Sequence, residues 1–256
     1  YAYTRPENPS AEEARQADIR TKVKELPGAA YELDMLQAYF RGVFQRGSNA
    51  NESTLKKLLQ ASNYSVLHLA MHGWVNDDQP EYSNLILSYS RDTAEDDFLH
   101  AYELNLLDIQ TDLVVLSACE TGSGRYERGE GVVSIGKGFM HAGAPAIAMT
   151  LWSINDQATA ILMTFFYERL AQKTPKNQAL QLAKIDYIER ADSLTAHPFF
   201  WAGFVLLGDE RPIRLRQHLT TADYILYGSL IALPVFLLLF LLRYLRRRRH
   251  PLNGSR

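Results

Sequence analysis

The sequence predicts an α/β fold: a mostly parallel sheet with helices on both faces, followed by one C-terminal transmembrane helix. Three observations carry this expectation. Short continuous apolar runs at 66–71 (VLHLAM) and 113–118 (LVVLSA) have the form of strands buried on both faces. They alternate with segments of helical periodicity. Residues 222–242 read ADYILYGSLIALPVFLLLFLL, uncharged after Asp223, and at about 1.5 Å per residue reach across a roughly 30 Å hydrocarbon core.

The elements follow in order. Residues 1–25 are polar and read as a linker or the end of an upstream domain. LPG at 26–28 breaks that segment. Leu33, Leu36, Phe40 and Val43 then give helical spacing over 30–44. A second helix covers 53–60, with Ser53 or Asn51 as its cap. Strands follow at 66–71 and 84–88, a helical turn at 101–107 and a strand at 113–118. A helix over 132–142 stops at Gly143, and a third buried strand covers 146–151. Helices over 156–171 and from Pro175 to about 191 precede a last strand at 204–207. The domain therefore spans 26–212, with a juxtamembrane linker at 213–221, the membrane helix at 222–242 and a basic tail at 243–256.

Size and charge narrow the function classes. A chain of 256 residues suits one α/β domain or two small ones. Position 1 is Tyr, so the sequence reads as a fragment or a processed form. Nine arginines lie beyond residue 210, leaving residues 1–210 with 18 basic and 28 acidic side chains. An acidic body repels phosphate backbones, so no nucleic-acid partner is expected. The arginines at 243 and 246–249 outnumber those before the apolar run. The positive-inside rule thus puts the tail in the cytoplasm and the domain on the extracytoplasmic side.

Chemistry concentrates at two strand ends. VLHLAMHG stops at His72 and Gly73, and LVVLSACETG stops at the sole cysteine, Cys119, and Gly122. Sites of open α/β sheets lie beyond the carboxyl ends of strands. Neighbouring parallel strands would bring an imidazole and a thiol to one rim, where the His activates the thiol. A lone Cys at such a place is more often a small buried hydrophobe, and a lone His more often structural; the matched positions are what favour chemistry. His68 lies on the same strand face as His72. An HxxxH zinc motif needs a helix, so His68 reads as packed or hydrogen-bonded. His141 suits a helix C-terminus, and His197 reads as structural. The loop GSGRYERGEG lacks a phosphate-loop signature. It reads as an active-site loop, with Arg125 or Arg128 as a possible processing site, and DTAEDD at 92–97 as a possible regulator contact.

The segments LHLAMHG, LVVLSACETG, GEGVVSIGKGFMHAGAPAIAMTLWSINDQAT and HPFFWAGFVLLGD resemble the CHAT domain family of caspase-like cysteine proteases, in order and spacing from about 26 to 209. The interval from His72 to Cys119 also fits the roughly 50 residues found in caspases. The resemblance implies a caspase-like fold, with His72 as general base and Cys119 as nucleophile. It implies the N–H groups of Gly73 and Cys119 as the oxyanion hole, a polypeptide substrate and no cofactor or metal. It also implies an N-terminal repeat or sensor domain in a longer chain. For substrate binding it points to Ser117, two residues before the thiol. Asp156 is the candidate pocket acid, against an ordinary helix cap, Trp152 its wall, and Glu120 a further contact. A catalytically silent interaction module on the same scaffold, and a small-molecule enzyme with an incidental Cys, are the competing expectations.

Overall fold

A computed structural model describes residues 26–61, 63–76, 79–90, 95–117 and 130–215. The chain divides into two units, Tyr1–Arg216 and Gln217–Arg256, and every described residue falls in the first. The expected membrane helix at 222–242 and basic tail lie outside the described residues. Among those described, no helix is long and apolar enough to cross a membrane.

The first helix, α1 (Pro27–Tyr39), begins where the sequence suggested a break. Proline suits a first helical position, because its missing N–H is one that a helix start leaves unbonded. The helix ends at Tyr39 rather than running to 44, and it buries Gly28, Glu32, Met35 and Leu36. The expected stripe through Leu33 and Val43 is therefore displaced, and Val43 lies exposed beyond the helix. α2 (Glu52–Ala61) follows, its start held by the Asn51 carboxamide, which accepts the Thr54 N–H at 2.9 Å.

Strand β1 (Tyr64–Leu69) leads into β2 (Gly73–Trp74), β3 (Asn84–Ile86) and β4 (Phe98–His100). The short α3 (Ala101–Leu104) connects to β5 (Thr111–Leu116). α4 (Glu130–His141) ends against Gly143, whose φ of 112° lies in the region that favours glycine. β6 (Ala146–Thr150), α5 (Asp156–Ala171), α6 (Lys176–Arg190) and β7 (Phe204–Gly208) complete the order.

Two sheets result. The larger has the order β1-β5-β6-β7, and β2-β3-β4 forms a separate antiparallel sheet. β1, β5 and β6 run parallel, whereas β7 pairs antiparallel with β6. The expectation of a mixed α/β fold with a parallel-rich sheet holds. The strand expected at 84–88 is found as β3, but β2 and β4 and the separate sheet they form with it were not foreseen, since strands of two and three residues carry little periodic signal. β1 is also less enclosed than its apolar run implied. It stands at the end of the strand order, and only Leu69 among its residues is buried.

Side-chain alternation divides the core into two layers. Leu113, Val115, Ala146 and Ala148 face α1, α5 and α6, with Met35, Leu162, Phe166 and Leu180 among their neighbours. Val114, Leu116, Ile147 and Met149 face the other way, onto Leu55, Leu59, Leu85, Leu99, Ile135 and Phe139 of α2, the small sheet and α4. Bulky residues on both faces of β5, and on one face of β6, explain why these runs read as continuous apolar segments.

Candidate active site

The pairing of β1 with β5 sets the geometry. Leu69 stands opposite Leu116, and the Ser117 N–H donates to the Leu69 carbonyl at 3.2 Å. β1 and β5 therefore end side by side at the same sheet edge. His72 lies three residues past Leu69 in the sequence, and Cys119 three past Leu116. Cys119 and Glu120 themselves lie outside the described residues, as do Arg125, Arg128 and the first part of the acidic patch at 92–97.

His72 is buried, with 7% of its surface exposed. Its carbonyl accepts the Ile86 N–H at 2.8 Å, so the start of the small antiparallel sheet fixes its backbone. Gly73 stands opposite Leu85. With the neighbouring His72 carbonyl turned toward β3, alternation along the ladder turns the Gly73 N–H away from that partner strand.

Below this edge lies a polar cluster in an otherwise apolar layer. His68 projects from β1 to the α1/α5 side. Its Nδ1 lies 2.9 Å from the Tyr167 hydroxyl and its Nε2 2.9 Å from Glu32 Oε2. The Ser117 hydroxyl is 3.3 Å from the same Nε2. Glu32 is wholly buried and Ser117 is 1% exposed. Burial, reinforced by the Glu32 charge, holds the Tyr167 phenol well above its usual range. Tyr167 thus keeps its proton and shares a hydrogen bond with Nδ1. Nε2 approaches the Glu32 carboxylate at ion-pair distance, but both Glu32 oxygens are buried without a hydrogen-bond partner among the described residues. The hydrogen-bonded reading of His68 is met. Ser117, expected to line a pocket, faces this imidazole. Glu32 and Tyr167 were not legible as partners, because an acid inside a helical segment reads as solvated and a tyrosine as core.

The other candidate residues follow β6. Trp152 is half-buried and donates its indole N–H to the Phe199 carbonyl at 2.9 Å. Asp156 opens α5, but the cap of that helix is Asn155, whose side chain accepts the Ala158 N–H at 3.1 Å. The Asp156 carboxylate instead accepts the Gly28 N–H at the start of α1. A Cβ at Gly28 would overlap the Asp156 carbonyl and carboxylate, so glycine permits this approach. Asp156 Oδ1 is buried without a hydrogen-bond partner among the described residues. His141 is exposed in the last turn of α4. His197 caps a 3₁₀ turn by accepting the Phe199 N–H at 3.2 Å, a structural role as expected.

One further acidic group stands apart from this edge. Glu52, Glu95 and Glu103 converge, and the Lys56 ammonium lies 2.7, 2.8 and 2.8 Å from them. A cation already meets these three carboxylates.

The chain is 30% identical over 112 residues to tetratricopeptide repeat protein 28 of Mus musculus, an alignment covering 44% of this chain and 4% of that protein. It is 28% identical over 108 residues to tetratricopeptide repeat protein 28 of Homo sapiens, covering 41% and 4%. The shared stretch is thus a small part of those relatives. The CHAT domain family model matches residues 5–209, starting upstream of α1 and ending after β7. With a match over most of its length, the chain belongs to the CHAT domain family.

Proposed function

We propose that this chain is a cysteine endopeptidase in which His72 and Cys119 form the catalytic dyad. The observation that carries the reading is the parallel register of β1 and β5, with its two equal three-residue extensions to the imidazole and the thiol. His72 takes the thiol proton, and sulfur attacks the scissile carbonyl carbon. The N–H groups of Gly73 and Cys119 stabilise the resulting oxyanion. Collapse of the tetrahedral adduct expels the amine, which receives the proton from His72. Water, deprotonated by His72, then cleaves the thioester. The orientation of the Gly73 N–H away from its ladder supports its part in this scheme.

For the primary pocket we assign Trp152 and Asp156. Both follow β6 at the carboxyl edge, and the partnerless Asp156 Oδ1 is an acceptor that a cationic substrate side chain would satisfy. Glu120 is kept as a substrate contact on the strength of its place beside Cys119. The repeat-protein name of the relatives supports an N-terminal repeat region as a regulatory partner. The apolar sequence at 222–242 supports attachment to a membrane.

Digestion of a peptide library tests the reading. The wild-type chain should cleave it, and Cys119→Ala and His72→Ala should each lower the rate by about a thousandfold or more. Cleavage that survives Cys119→Ala would overturn the dyad. No cleavage by any of the three, with Cys119 labelled equally in wild type and His72→Ala, would instead favour an interaction module.

A further inference from the structure

The polar cluster of Glu32, His68, Tyr167 and Ser117 needs an explanation that the dyad does not supply. It places a fully buried carboxylate and an imidazole in the layer that otherwise holds Leu113, Val115, Ala148 and Phe166. Polar groups in such a layer cost stability unless they are paired, so their arrangement is specific. Three separate elements meet there. Glu32 comes from α1, His68 from β1 and Tyr167 from α5; the imidazole is hydrogen-bonded to Tyr167 at Nδ1 and lies 2.9 Å from Glu32 at Nε2. The ring of His68 also meets Tyr167 edge-on, with centroids 5.6 Å apart. The fourth member is the residue at which the chain leaves β5. Ser117 is bonded to β1 twice, through its N–H to Leu69 and through its hydroxyl to His68.

We propose that His68 is a positioning residue: gripped by Glu32 and Tyr167, it holds the Ser117 hydroxyl and so fixes the direction in which the chain leaves β5 toward Cys119. A backbone hydrogen bond alone leaves rotation about the strand end open. A second bond through the side chain removes that freedom before the two-residue step to the thiol. The Ser117 hydroxyl and His68 Nε2 lie 3.3 Å apart, within hydrogen-bond reach in either tautomer of the ring. Its consequence for catalysis rests on the dyad reading, but the coupling between Ser117 and His68 does not.

Alkylation of Cys119 by iodoacetamide, followed across pH, reads the effect on the thiol without a substrate. Ser117→Ala should slow alkylation about five- to tenfold and raise the pH of its midpoint, while the melting temperature moves little. His68→Gln should slow it similarly, and the double variant should be no slower than the worse single one, because both act through one contact. If His68→Gln does not fold, Tyr167→Phe, which keeps the ring and removes the hydroxyl that holds Nδ1, takes its place in the cycle. A wild-type rate and midpoint in Ser117→Ala, or losses that multiply in the double variant, would overturn the proposal. His72→Ala is run alongside. Indifference of the rate to His72 would remove the dyad and leave the Ser117–His68 coupling to be judged by its own variants.

Discussion

Asp156 carries two demands on one carboxylate: it accepts the Gly28 N–H at the start of α1, and it leaves a buried oxygen unbonded. Asparagine separates the two, because it keeps an acceptor for Gly28 and loses the charge. Asp156→Asn should melt close to wild type yet lose cleavage after Arg or Lys by about tenfold or more. Asp156→Ala should lose both, with a melting temperature lower by a few degrees. Thermal melts beside peptide profiling check this, and unchanged cleavage after basic residues in Asp156→Asn would remove the pocket assignment. At this scale His72 and Cys119 stand out as candidates because each ends an apolar run shortly before a glycine. The partners of His68 were not. Glu32 is separated from it by 36 positions and Tyr167 by 99, and only packing brings them together.

Among the elements, α2 carries a measurable electrostatic cost. Glu52 is fully buried, and burial pushes its carboxyl from 4.5 up to about 7, opposed by its hydrogen bond to Lys56. Between those values the folded protein holds a proton that the unfolded chain has lost. Stability therefore falls as pH rises from about 4.5 to about 7, and this contribution is level beyond. Glu52→Gln removes that slope, while Glu95 and Glu103 still hold Lys56 at 2.8 Å each. Calorimetry should show the variant gaining on wild type across the window and melting about 2–4 °C higher at pH 8. Parallel curves would contradict the assignment. The bounds of helix α5 were legible from its periodicity, whereas its cap proved to be Asn155 rather than Asp156. β7 was legible as a strand but not in its direction, since an antiparallel partner and a parallel one present the same apolar run.

For the whole molecule, the fold and the apolar segment make separable claims. Residues 26–215 contain the two core layers, and the run at 222–242 lies beyond them. A chain ending at Arg216 should stay in the aqueous fraction in liposome flotation, whereas the 256-residue chain should float with the vesicles. Equal partitioning of the two would remove membrane attachment by that run. Neither result bears on the proposed dyad.

The strands of the larger sheet, the main helices, the apolar runs that end near His72 and Cys119, and the membership of the family were legible in local sequence. Periodicity, turn residues and short motifs are properties of neighbouring positions. What the tertiary structure decided was the adjacency of β1 and β5, the reversed β7, the separate small sheet, and the union of Glu32, His68, Tyr167 and Ser117. Those depend on which apolar faces cover one another, and a buried polar group finds its partner only once that packing has excluded water.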